Sequence, residues 1–469
     1  MNIQNKSQIF NAPRIMIASP SSSSGKTTFT CALLHLLKKR GKNPKAFKTG
    51  PDYIDPLFHE RVLGVQSDNL DSFFCTEKQI NEIFYRNPLK NPDLVSVVEG
   101  AMGLFDGLAG KSISASSYDI ARITRTPVLL LIDAGGMGHS IVPLIKGFLN
   151  YDEKNSGSNE NFIRAVFLNK CSKGQFDLLK PQIEEECKIK VIGFLPEDSE
   201  NSWKSRHLGL ILPSEIQNLQ EQISKTAQIL EETLDFNEFE KIINEWSGNY
   251  SDCEQILQNK TYLHKAECSE SLKIAVAQDE AFCFYYHENL RFLEESGVKL
   301  EFFSPLHDSA LPSGIQALLL GGGYPELYAE KLEKNESMRF SVKSAVKNGI
   351  PVFAECGGFM YLQEKLVTKE GLSFEMCSAV KGECRYTGKL VRFGYAAFTQ
   401  NQNPACTVKG HEFHYFDSSN NGEAFTAQKP LSTRSWKCMI QSETMLAGFP
   451  HLYYRSCPDL ILSNLFQNH

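Results

Sequence analysis

The chain has 469 residues, of which 42% are hydrophobic and 22% are charged, and its formal net charge at pH 7 is −6. This length exceeds what one ordinary hydrophobic core needs and favours two domains. The slightly negative charge offers no basic field to a nucleic acid or an anionic membrane, and no apolar run reaches membrane-spanning length. We therefore expect neither a nucleic-acid partner nor a membrane partner.

Thirteen cysteines are scattered between Cys31 and Cys457, and none of them form C-x-x-C pairs. The odd number and irregular spacing argue against both a disulfide framework and a metal site. The N-terminus lacks the apolar core of a signal peptide. These features predict a cytoplasmic protein in which most cysteines are small buried hydrophobes.

From residue 13 to about residue 235, strand-like apolar runs alternate with helical stretches such as 27–39. The runs are residues 15–18, 94–98, 128–132 and 165–168. Near-continuous apolar runs of this kind are typical of parallel strands that are covered on both faces. The pattern predicts an α/β domain with a parallel sheet over residues 1–235.

Residues 236–271 are polar and poor in β-branched side chains, which indicates a partly helical linker. A second α/β series follows, and its strand-like runs are residues 273–277, 300–303, 317–320 and 351–354. Beyond about residue 387 the pattern favours short, turn-rich β segments. We therefore predict a second α/β domain over residues 272–469.

A phosphate-loop pattern follows the first strand-like run. It consists of Ser24, Gly25, Lys26, Thr27 and Thr28. In such a loop the backbone N–H groups face phosphates, Lys26 would neutralise the β- and γ-phosphates, and the Thr27 hydroxyl would coordinate Mg²⁺. Pro20 and Ser23 stand where glycines are usual, and serine has less freedom at positive φ. The alternative, a serine-rich turn before an ordinary helix, is disfavoured by the preceding strand.

Two acidic segments follow strands that should flank this loop. Asp52 and Asp55 lie in segment 50–56 and could hold Mg²⁺ or a substrate. Glu99 opens segment 99–107 and is placed like the acidic metal ligand of a Walker B strand, and Asp106 lies in the same segment. Each carboxylate alone would more often be a solvated loop residue, but their placement after these strands favours a functional role.

A reactive thiol is predicted at Cys356. The apolar run 351–354 leads to this cysteine, Gly357 and Gly358 follow it, and a helix-like stretch comes next. This strand, turn and helix order exposes a side chain near backbone N–H groups and a helix N-terminus, which favour a thiolate. A second glycine corner, residues 321–323, follows the strand-like run 318–320 and could aim N–H groups at an oxyanion.

The thiol also needs a base, and three histidines compete for that role. His451 lies 95 residues beyond Cys356, and His411 and His414 lie between them. A lone histidine is more often a structural residue, and the pattern alone does not choose among the three.

Together these motifs resemble the cobyrinate a,c-diamide synthase family, the glutamine-dependent amidotransferases of corrinoid biosynthesis. The resemblance covers nearly the whole chain and rests on residues 20–28, 50–56, 99–107, 206–210, 284–286, 321–326, 354–358 and 410–415. It implies an N-terminal P-loop domain like dethiobiotin synthetase and a C-terminal class I glutamine amidotransferase domain.

The resemblance also implies that the base is His451, because family members carry it in a His-Leu-His-like segment near the C-terminus. Here Tyr453 replaces the second histidine of that segment. Relatives lack the acidic third member of the usual triad, so a Cys–His pair is expected. His411 and His414 would then shape the domain or its interface with the substrate.

The implied reaction begins when Cys356 attacks the side-chain amide of glutamine and His451 handles the proton. Backbone N–H groups near Gly322, Gly323 and Gly357 would stabilise the oxyanion. In the other domain, ATP and Mg²⁺ would convert a carboxylate of cobyrinate into an acyl phosphate that ammonia attacks. Two rounds would amidate the c and a acetate groups.

Alternatives remain open at this stage. The same reaction could act on hydrogenobyrinate or nickel sirohydrochlorin. The departures at Pro20 and Ser23 would also suit a regulatory protein that does not turn over ATP. A homodimer is compatible with the sequence, which does not determine the oligomeric state.

Overall fold

A computed structural model describes residues 12–87, 91, 93–156, 161–197, 213–245 and 272–466. It divides into two compact units, Met1–Lys260 and Thr261–His469. Segment 206–210, one of the segments that carry the family resemblance, lies outside the described residues. No helix within the described ranges is both long enough and apolar enough to cross a membrane.

The N-terminal unit is built on a sheet of seven strands. They are β1 (Arg14–Ala18), β2 (Asn43–Thr49), β3 (Ser67–Leu70), β4 (Leu94–Glu99), β5 (Val128–Asp133), β6 (Ile163–Asn169) and β7 (Lys190–Leu195). Their order is β3-β2-β4-β1-β5-β6-β7, and every neighbouring pair is parallel. This confirms the parallel α/β fold expected from the apolar runs.

Helices connect these strands and flank the sheet. They are α1 (Lys26–Lys39), α2 (Ile54–Leu63), α3 (Glu77–Tyr85), α4 (Ser117–Thr124), α5 (Ile141–Asn155), α6 (Lys173–Cys187), α7 (Pro213–Thr233) and α8 (Phe236–Asn244). One hydrophobic core joins α1, α2, α7 and α8 to one face of the sheet. That core positions the start of α1, where the phosphate loop ends.

Helix α8 corrects the predicted start of the linker. Phe239, Ile242 and Ile243 are buried in the core of the N-terminal unit. Their spacing places them on one face of a helix, whereas the remaining residues are mostly polar and face outward. The polar composition concealed this apolar face, so residues 236–244 belong to the first unit rather than to a linker.

The strand order places the segments of interest at one edge of the sheet. Strand β1 lies between β4 and β5, and β2 lies on the far side of β4. Since these strands are parallel, the segments that follow β1, β2 and β4 all emerge at their carboxyl ends. Lys26, Asp52 and Glu99 therefore lie at the same edge.

The C-terminal unit has a main sheet of six strands. They are β8 (Lys273–Ala277), β10 (Lys299–Phe303), β11 (Ala317–Leu320), β13 (Val352–Glu355), β22 (Ile440–Ser442) and β23 (Met445–Gly448). The order is β10-β8-β11-β13-β23-β22, in which only β22 runs antiparallel to its neighbour. Strands β11, β13 and β23 end at the edge where the two glycine corners lie.

Smaller sheets complete this unit. Their strands are β9 (Phe282–Phe284), β12 (Gly322–Gly323), β14 (Lys365–Val367), β15 (Ser373–Glu375), β16 (Glu383–Tyr386), β17 (Arg392–Gln400), β18 (Thr407–His414), β19 (Phe416–Ser418), β20 (Phe425–Gln428), β21 (Ser435–Cys438) and β24 (His451–Leu452). Five of them form the sheet β21-β20-β17-β18-β24. The short β segments expected beyond residue 387 are confirmed.

The helices of the C-terminal unit are short. They are α9 (His287–Glu295), α10 (Ala329–Lys334), α11 (Glu336–Lys347), α12 (Gly357–Leu362) and α13 (Pro458–Phe466). Helix α12 begins directly after Cys356, and all six of its residues are buried. The predicted strand, turn and helix around the cysteine is therefore present.

Candidate active site

The phosphate loop connects β1 to α1 through residues 19–25. Ser23 has φ 62° and Gly25 has φ 88°, so the loop uses the left-handed region at both positions. A Cβ atom on Gly25 would overlap the side-chain amide of Asn169, which donates to the carbonyl oxygen of Ser24 over 2.9 Å. The loop therefore requires glycine at position 25, while Ser23 adopts the positive φ that glycine adopts more easily.

Lys26 turns its ammonium group back onto this loop. Its Nζ donates to Ser19 Oγ over 2.7 Å, to the carbonyl oxygen of Ser21 over 3.0 Å and to that of Met102 over 2.6 Å. Burial, assisted by the charge of Lys48, lowers the pKa of Lys26 to about 8. The neutral oxygens around this ammonium compensate its buried charge less well than a phosphate would.

Glu99, the last residue of β4, is the centre of a buried polar cluster. Its Oε1 accepts from Thr27 Oγ1 over 2.6 Å and from Lys48 Nζ over 2.8 Å. Lys48 Nζ also lies 2.6 Å from Asp55 Oδ2. On the other side, His59 Nε2 lies 3.4 Å from Glu99 Oε2. Hydrogen bonds and ion pairs of this cluster join β2, β4, α1 and α2.

The two carboxyl groups of this cluster titrate in opposite directions. Burial alone would raise the pKa of Glu99, but Lys48 and His59 outweigh it and hold that pKa below its usual value. Burial and the negative charge of Glu99 raise the pKa of Asp55 well above its usual value. Burial lowers the pKa of Lys48, but the two carboxylates outweigh burial and the net shift is upward. Glu99 therefore stays ionised, and Asp55 accepts a proton more readily.

The other predicted residues of this region lie beside the cluster. Asp52 Oδ1 accepts from the backbone N–H groups of Ile54 and Asp55 over 2.8 Å and 3.2 Å, at the start of α2. Asp106 is exposed, and its Oδ2 accepts from the N–H of Gly103 over 2.9 Å. Thr28 is half-buried in the first turn of α1.

The oxygen atoms of this cluster suit a hard divalent cation. The Thr27 hydroxyl and the Glu99 carboxylate are in contact, and Glu99 Oε2 is buried without a hydrogen-bond partner among the described residues. Hydroxyl and carboxylate oxygens are ligands that Mg²⁺ accepts, and Mg²⁺ usually keeps waters and phosphate oxygens as its remaining ligands. In the described ranges no group of three or more His, Cys, Asp or Glu side chains forms a ready-made metal site.

In the C-terminal unit, Cys356 occupies a strained turn between β13 and α12. It has φ 44° and ψ −102°, a conformation rarely adopted by residues other than glycine. Its N–H donates to the carbonyl oxygen of Gly448 over 2.8 Å, which ties the turn to the end of β23. The strain is typical of a nucleophile held at the top of a sheet.

The electrostatics of this thiol correct one expectation. Burial raises the pKa of Cys356 above its usual value, and the charge of Glu326 adds to this effect, while the N–H of Gly357 acts in the opposite direction. Helix α12 has six residues, so its terminus adds little positive potential. The expected thiolate is therefore not the stable form, and the thiol needs a base to become a nucleophile.

The two glycine corners lie against each other and against His451. A Cβ atom on Gly322 would overlap the imidazole carbon Cε1 of His451. A Cβ atom on Gly357 would lie 2.9 Å from Pro325 Cδ and 3.1 Å from the backbone nitrogen of Gly323. The structure thus brings the predicted residues of both corners together with His451.

The ring of His451 lies between the backbone of Gly322 and the ring of His411. It lies in β24, opposite His411 in β18, and the two imidazoles stack with their centroids 4.9 Å apart and their planes at 17°. Gly322 lies against its edge. Burial, followed by the neighbouring imidazoles, lowers the pKa of His451 well below its usual value. The ring is therefore held in its neutral form.

The competing histidines are engaged elsewhere. His411 Nδ1 lies 3.0 Å from the hydroxyl of Tyr286, and burial lowers the pKa of His411 to about 3. His414 Nδ1 lies 2.6 Å from the carbonyl oxygen of Phe416, and its ring stacks on Phe449. His451 is the histidine that lies against Gly322, and this position favours His451 as the base.

Comparison with known proteins follows this division into two units. Residues 15–211 match the family model of the CobQ/CobB/MinD/ParA nucleotide binding domain, and residues 273–455 match that of the CobB/CobQ-like glutamine amidotransferase domain. The cobyrinate a,c-diamide synthase of Caldanaerobacter subterraneus is 37% identical over 93% of this chain and 94% of its own. The chain belongs to the cobyrinate a,c-diamide synthase family.

Other members of this family are similar over equally long stretches. The cobyrinate a,c-diamide synthase of Fusobacterium nucleatum is 36% identical over 94% of this chain and 97% of its own. That of Clostridium acetobutylicum is 37% identical, with the same two coverages. The resemblance inferred from the separate motifs is confirmed, as is the combination of a nucleotide-binding domain with a glutamine amidotransferase domain.

Sequence reasoning missed three residues of these sites. Lys48 is a buried cation in β2 between Asp55 and Glu99. The sequence feature that could have indicated it is a lysine inside the strand that precedes Gly50. His59 lies four residues after Asp55, on the same face of α2. Glu355 ends β13, and its Oε1 accepts from the N–H of Leu452 over 2.9 Å. The sequence feature that could have indicated Glu355 is an acidic residue at the end of an apolar strand.

Proposed function

We propose that this chain uses ATP and glutamine to amidate the a and c acetate carboxylates of cobyrinate, giving cobyrinate a,c-diamide. One combination carries the proposal: a phosphate loop, a strained thiol and a neutral imidazole that lies against the glycine corner at Gly322 occur in one chain. Relatives that share both domains over most of their length bear the name of this activity. The product amides need a nitrogen source and an activated carboxyl group, and the two domains supply these separately.

In the C-terminal unit, His451 removes the thiol proton and the Cys356 sulfur attacks the amide carbon of glutamine. The tetrahedral oxyanion receives hydrogen bonds from the N–H groups of Gly322, Gly323 and Gly357. The carbon–nitrogen bond then breaks, His451 returns the proton to the leaving nitrogen, and ammonia departs. Water hydrolyses the remaining glutamyl thioester to glutamate and regenerates the thiol.

In the N-terminal unit, the phosphates of ATP are bound by the N–H groups of the loop and by four residues at its end, Gly25, Lys26, Thr27 and Thr28. Thr27, Asp52 and Glu99 would hold Mg²⁺, which neutralises phosphate charge when bound. This assignment is supported by the contact between Thr27 and Glu99 and by the low pKa of Glu99.

Asp55 and Asp106 lie at the same edge and are proposed to contact the tetrapyrrole. The Lys48 ammonium, 2.6 Å from Asp55 Oδ2, holds this carboxyl group in place at that edge. Transfer of the γ-phosphoryl group to the acetate then makes an acyl phosphate, because a free carboxylate is a poor acyl donor. The cytoplasm is the proposed location, since the thiol must stay reduced.

The substrate is tested by an amidation assay with ATP and glutamine on cobyrinate, hydrogenobyrinate and nickel sirohydrochlorin, read by mass spectrometry. We expect two amides on cobyrinate and a lower kcat/KM with the other two tetrapyrroles. Lys26→Ala should abolish amidation with glutamine or with ammonium, whereas Lys38→Ala should not. Full activity of Lys26→Ala, or a preference for another tetrapyrrole, would contradict the proposal.

The base is tested by His451→Asn. We expect the rate of glutamine hydrolysis to fall by roughly 10²- to 10⁴-fold, the usual contribution of a positioned general base. His411→Asn serves as the comparison and should lose much less, because His411 supports His451 without taking the proton. If His411→Asn or His414→Asn caused the larger loss, the base would be that residue.

A further inference from the structure

Two cysteines of the C-terminal unit lie in contact at its surface. Cys406 Sγ and Cys457 Sγ are 3.6 Å apart, although 51 residues separate them in the chain. Both thiols are free and half-buried, whereas every other free cysteine within the described ranges is buried. In the part of the chain that the structure describes, the two thiols that solvent reaches are therefore neighbours of each other.

The backbone brings these two thiols together. Cys406 ends the turn between β17 and β18, and Cys457 directly precedes α13. Close to them, the N–H of Tyr453 donates to the carbonyl oxygen of Lys409 over 2.8 Å. The N–H of Lys409 in turn donates to Ser456 Oγ over 2.9 Å. The closeness of the two sulfur atoms is therefore fixed by pairing of the segments that carry them.

We propose that Cys406 and Cys457 form an oxidation site, at which hydrogen peroxide converts the two thiols into a reversible disulfide. The Cys457 sulfur attacks one peroxide oxygen, the oxygen–oxygen bond breaks, and a sulfenic acid and one water form. The Cys406 sulfur then attacks the sulfur of this sulfenic acid. A sulfur–sulfur bond forms, and the hydroxyl group leaves as a second water with the proton of Cys406. The two thiols lose two electrons and two protons, which reduce the peroxide to water.

The surroundings of the pair explain this order of steps. Both side chains pack against the hydrophobic core around Leu452 and Ile461. Burial, followed by the hydrogen bond with Cys457, raises the pKa of Cys406 to about 12. Cys406 therefore keeps its proton at neutral pH, and because the thiolate is the nucleophile, Cys457 reacts with the peroxide first. A half-buried position also favours an oxidant as small as hydrogen peroxide.

The disulfide would join the two strands that carry the stacked histidines. Cys406 lies five residues before His411 of β18, and Cys457 lies six residues after His451 of β24. Strand β24 has two residues, so its pairing with β18 is short. A link across these segments removes conformations from the unfolded chain and holds β24 more firmly on β18.

A disulfide at this position would be transient in the cytoplasm, the location proposed above. Cytoplasmic thiol reductants keep such pairs reduced, and the disulfides that do form there are usually transient or redox-sensing. The pair is therefore reduced in the resting protein and oxidised when peroxide is present.

The test treats the folded full-length protein with hydrogen peroxide, alkylates the remaining thiols and identifies linked peptides by mass spectrometry. We expect a linked pair that contains Cys406 and Cys457, two hydrogen atoms lighter than the two reduced peptides, and dithiothreitol should restore both thiols. Cys406→Ser and Cys457→Ser should each lose this linked pair. Cys438→Ala removes a buried cysteine of the same unit, and this control should keep the pair.

Thermal unfolding measures the effect of the link on the fold. Dithiothreitol should lower the unfolding temperature of the peroxide-treated wild-type protein by at least about 4 °C, because it removes a cross-link that closes a long loop. It should not lower the unfolding temperature of peroxide-treated Cys406→Ser.

Recovery of both sulfur atoms as free thiols, or as sulfinic acids without a link, would overturn the oxidation site. A disulfide from either sulfur to a different cysteine would also overturn it. A mapped link that leaves the unfolding temperature unchanged would support the oxidation site and contradict the firmer hold on β24.

Discussion

The phosphate-loop site and the thiol site are held by different kinds of interaction. Around Glu99, the buried ammonium of Lys48 joins two carboxyl groups over distances of 2.6 Å and 2.8 Å. Around Cys356, the contacts are backbone hydrogen bonds, glycine corners and the stacked rings of His451 and His411. The first site depends on charge, and the second depends on shape.

This difference follows from what each site must do. A nucleotide site has to bind several negative charges and a cation, so it needs buried charges that compensate one another. A glutaminase site must keep a thiol and a neutral imidazole in fixed positions, and buried charges nearby would alter their protonation. Removing a charge should therefore damage the first site most, and adding a methyl group should damage the second.

The largest effect is expected when Lys48 is replaced. Lys48→Met leaves Glu99 and Asp55 buried together without their cation, and breaking a buried pair in this way is unfavourable by about 3–5 kcal/mol. Urea unfolding should show this loss, and nucleotide binding should disappear with it.

Lys45→Met is the matched control for that variant. Lys45 also lies in β2 and makes a buried ion pair with Asp68 over 2.8 Å. It should lose stability as well but keep nucleotide binding while folded. Equal nucleotide affinity in the two variants would show that Lys48 does not belong to the site.

The next effect tests the role of shape at the thiol site. Gly322→Ala adds a methyl group that overlaps the ring of His451 and must displace it. A displacement of about 1 Å at a catalytic group can reduce the rate roughly 10²-fold, and we expect a loss of that size in glutamine hydrolysis. Gly147→Ala, in helix α5, meets no atom within 4 Å, has no positive φ and serves as the control. Normal hydrolysis by Gly322→Ala would argue against His451 as the base.

The smallest effect concerns Glu355, a buried acid next to Cys356 in the chain. Burial raises the pKa of Glu355 from 4.5 to about 8. Between these values the folded protein keeps a proton that the unfolded chain has lost, so stability falls as pH rises. The slope from this group reaches about 1.4 kcal/mol per pH unit.

Glu355→Gln should remove that slope, since the amide does not titrate and its oxygen can still accept the N–H of Leu452. Urea unfolding at pH 5, 6, 7 and 8 gives the free energy of unfolding of the wild-type protein and of the variant, and the slope appears in the difference between the two. The difference cancels the contributions of other groups, such as Glu326. A constant difference across this range would show that Glu355 does not hold a proton there.

The sequence was sufficient for the residues whose roles depend on local order. After a strand and a loop, Lys26 opens a helix, and Cys356 lies between a strand and a helix; that order is visible in the chain. The sequence was not sufficient for Lys48, His59 and Glu355. Each acts on a group contributed by a different element, so its role depends on strand order and on which side chains share a buried space. Helix α8 was assigned to the linker because its apolar face is spread through a polar segment.

The central claim is that the thiol supplies nitrogen to an amidation that the nucleotide site drives, and Cys356→Ala tests it most directly. Amide formation on cobyrinate is measured with ATP and either glutamine or ammonium as the nitrogen source. The account predicts that this variant loses the glutamine-supported reaction and keeps the ammonium-supported one near the wild-type rate. Loss of both reactions in the folded variant, or retention of both, would contradict it.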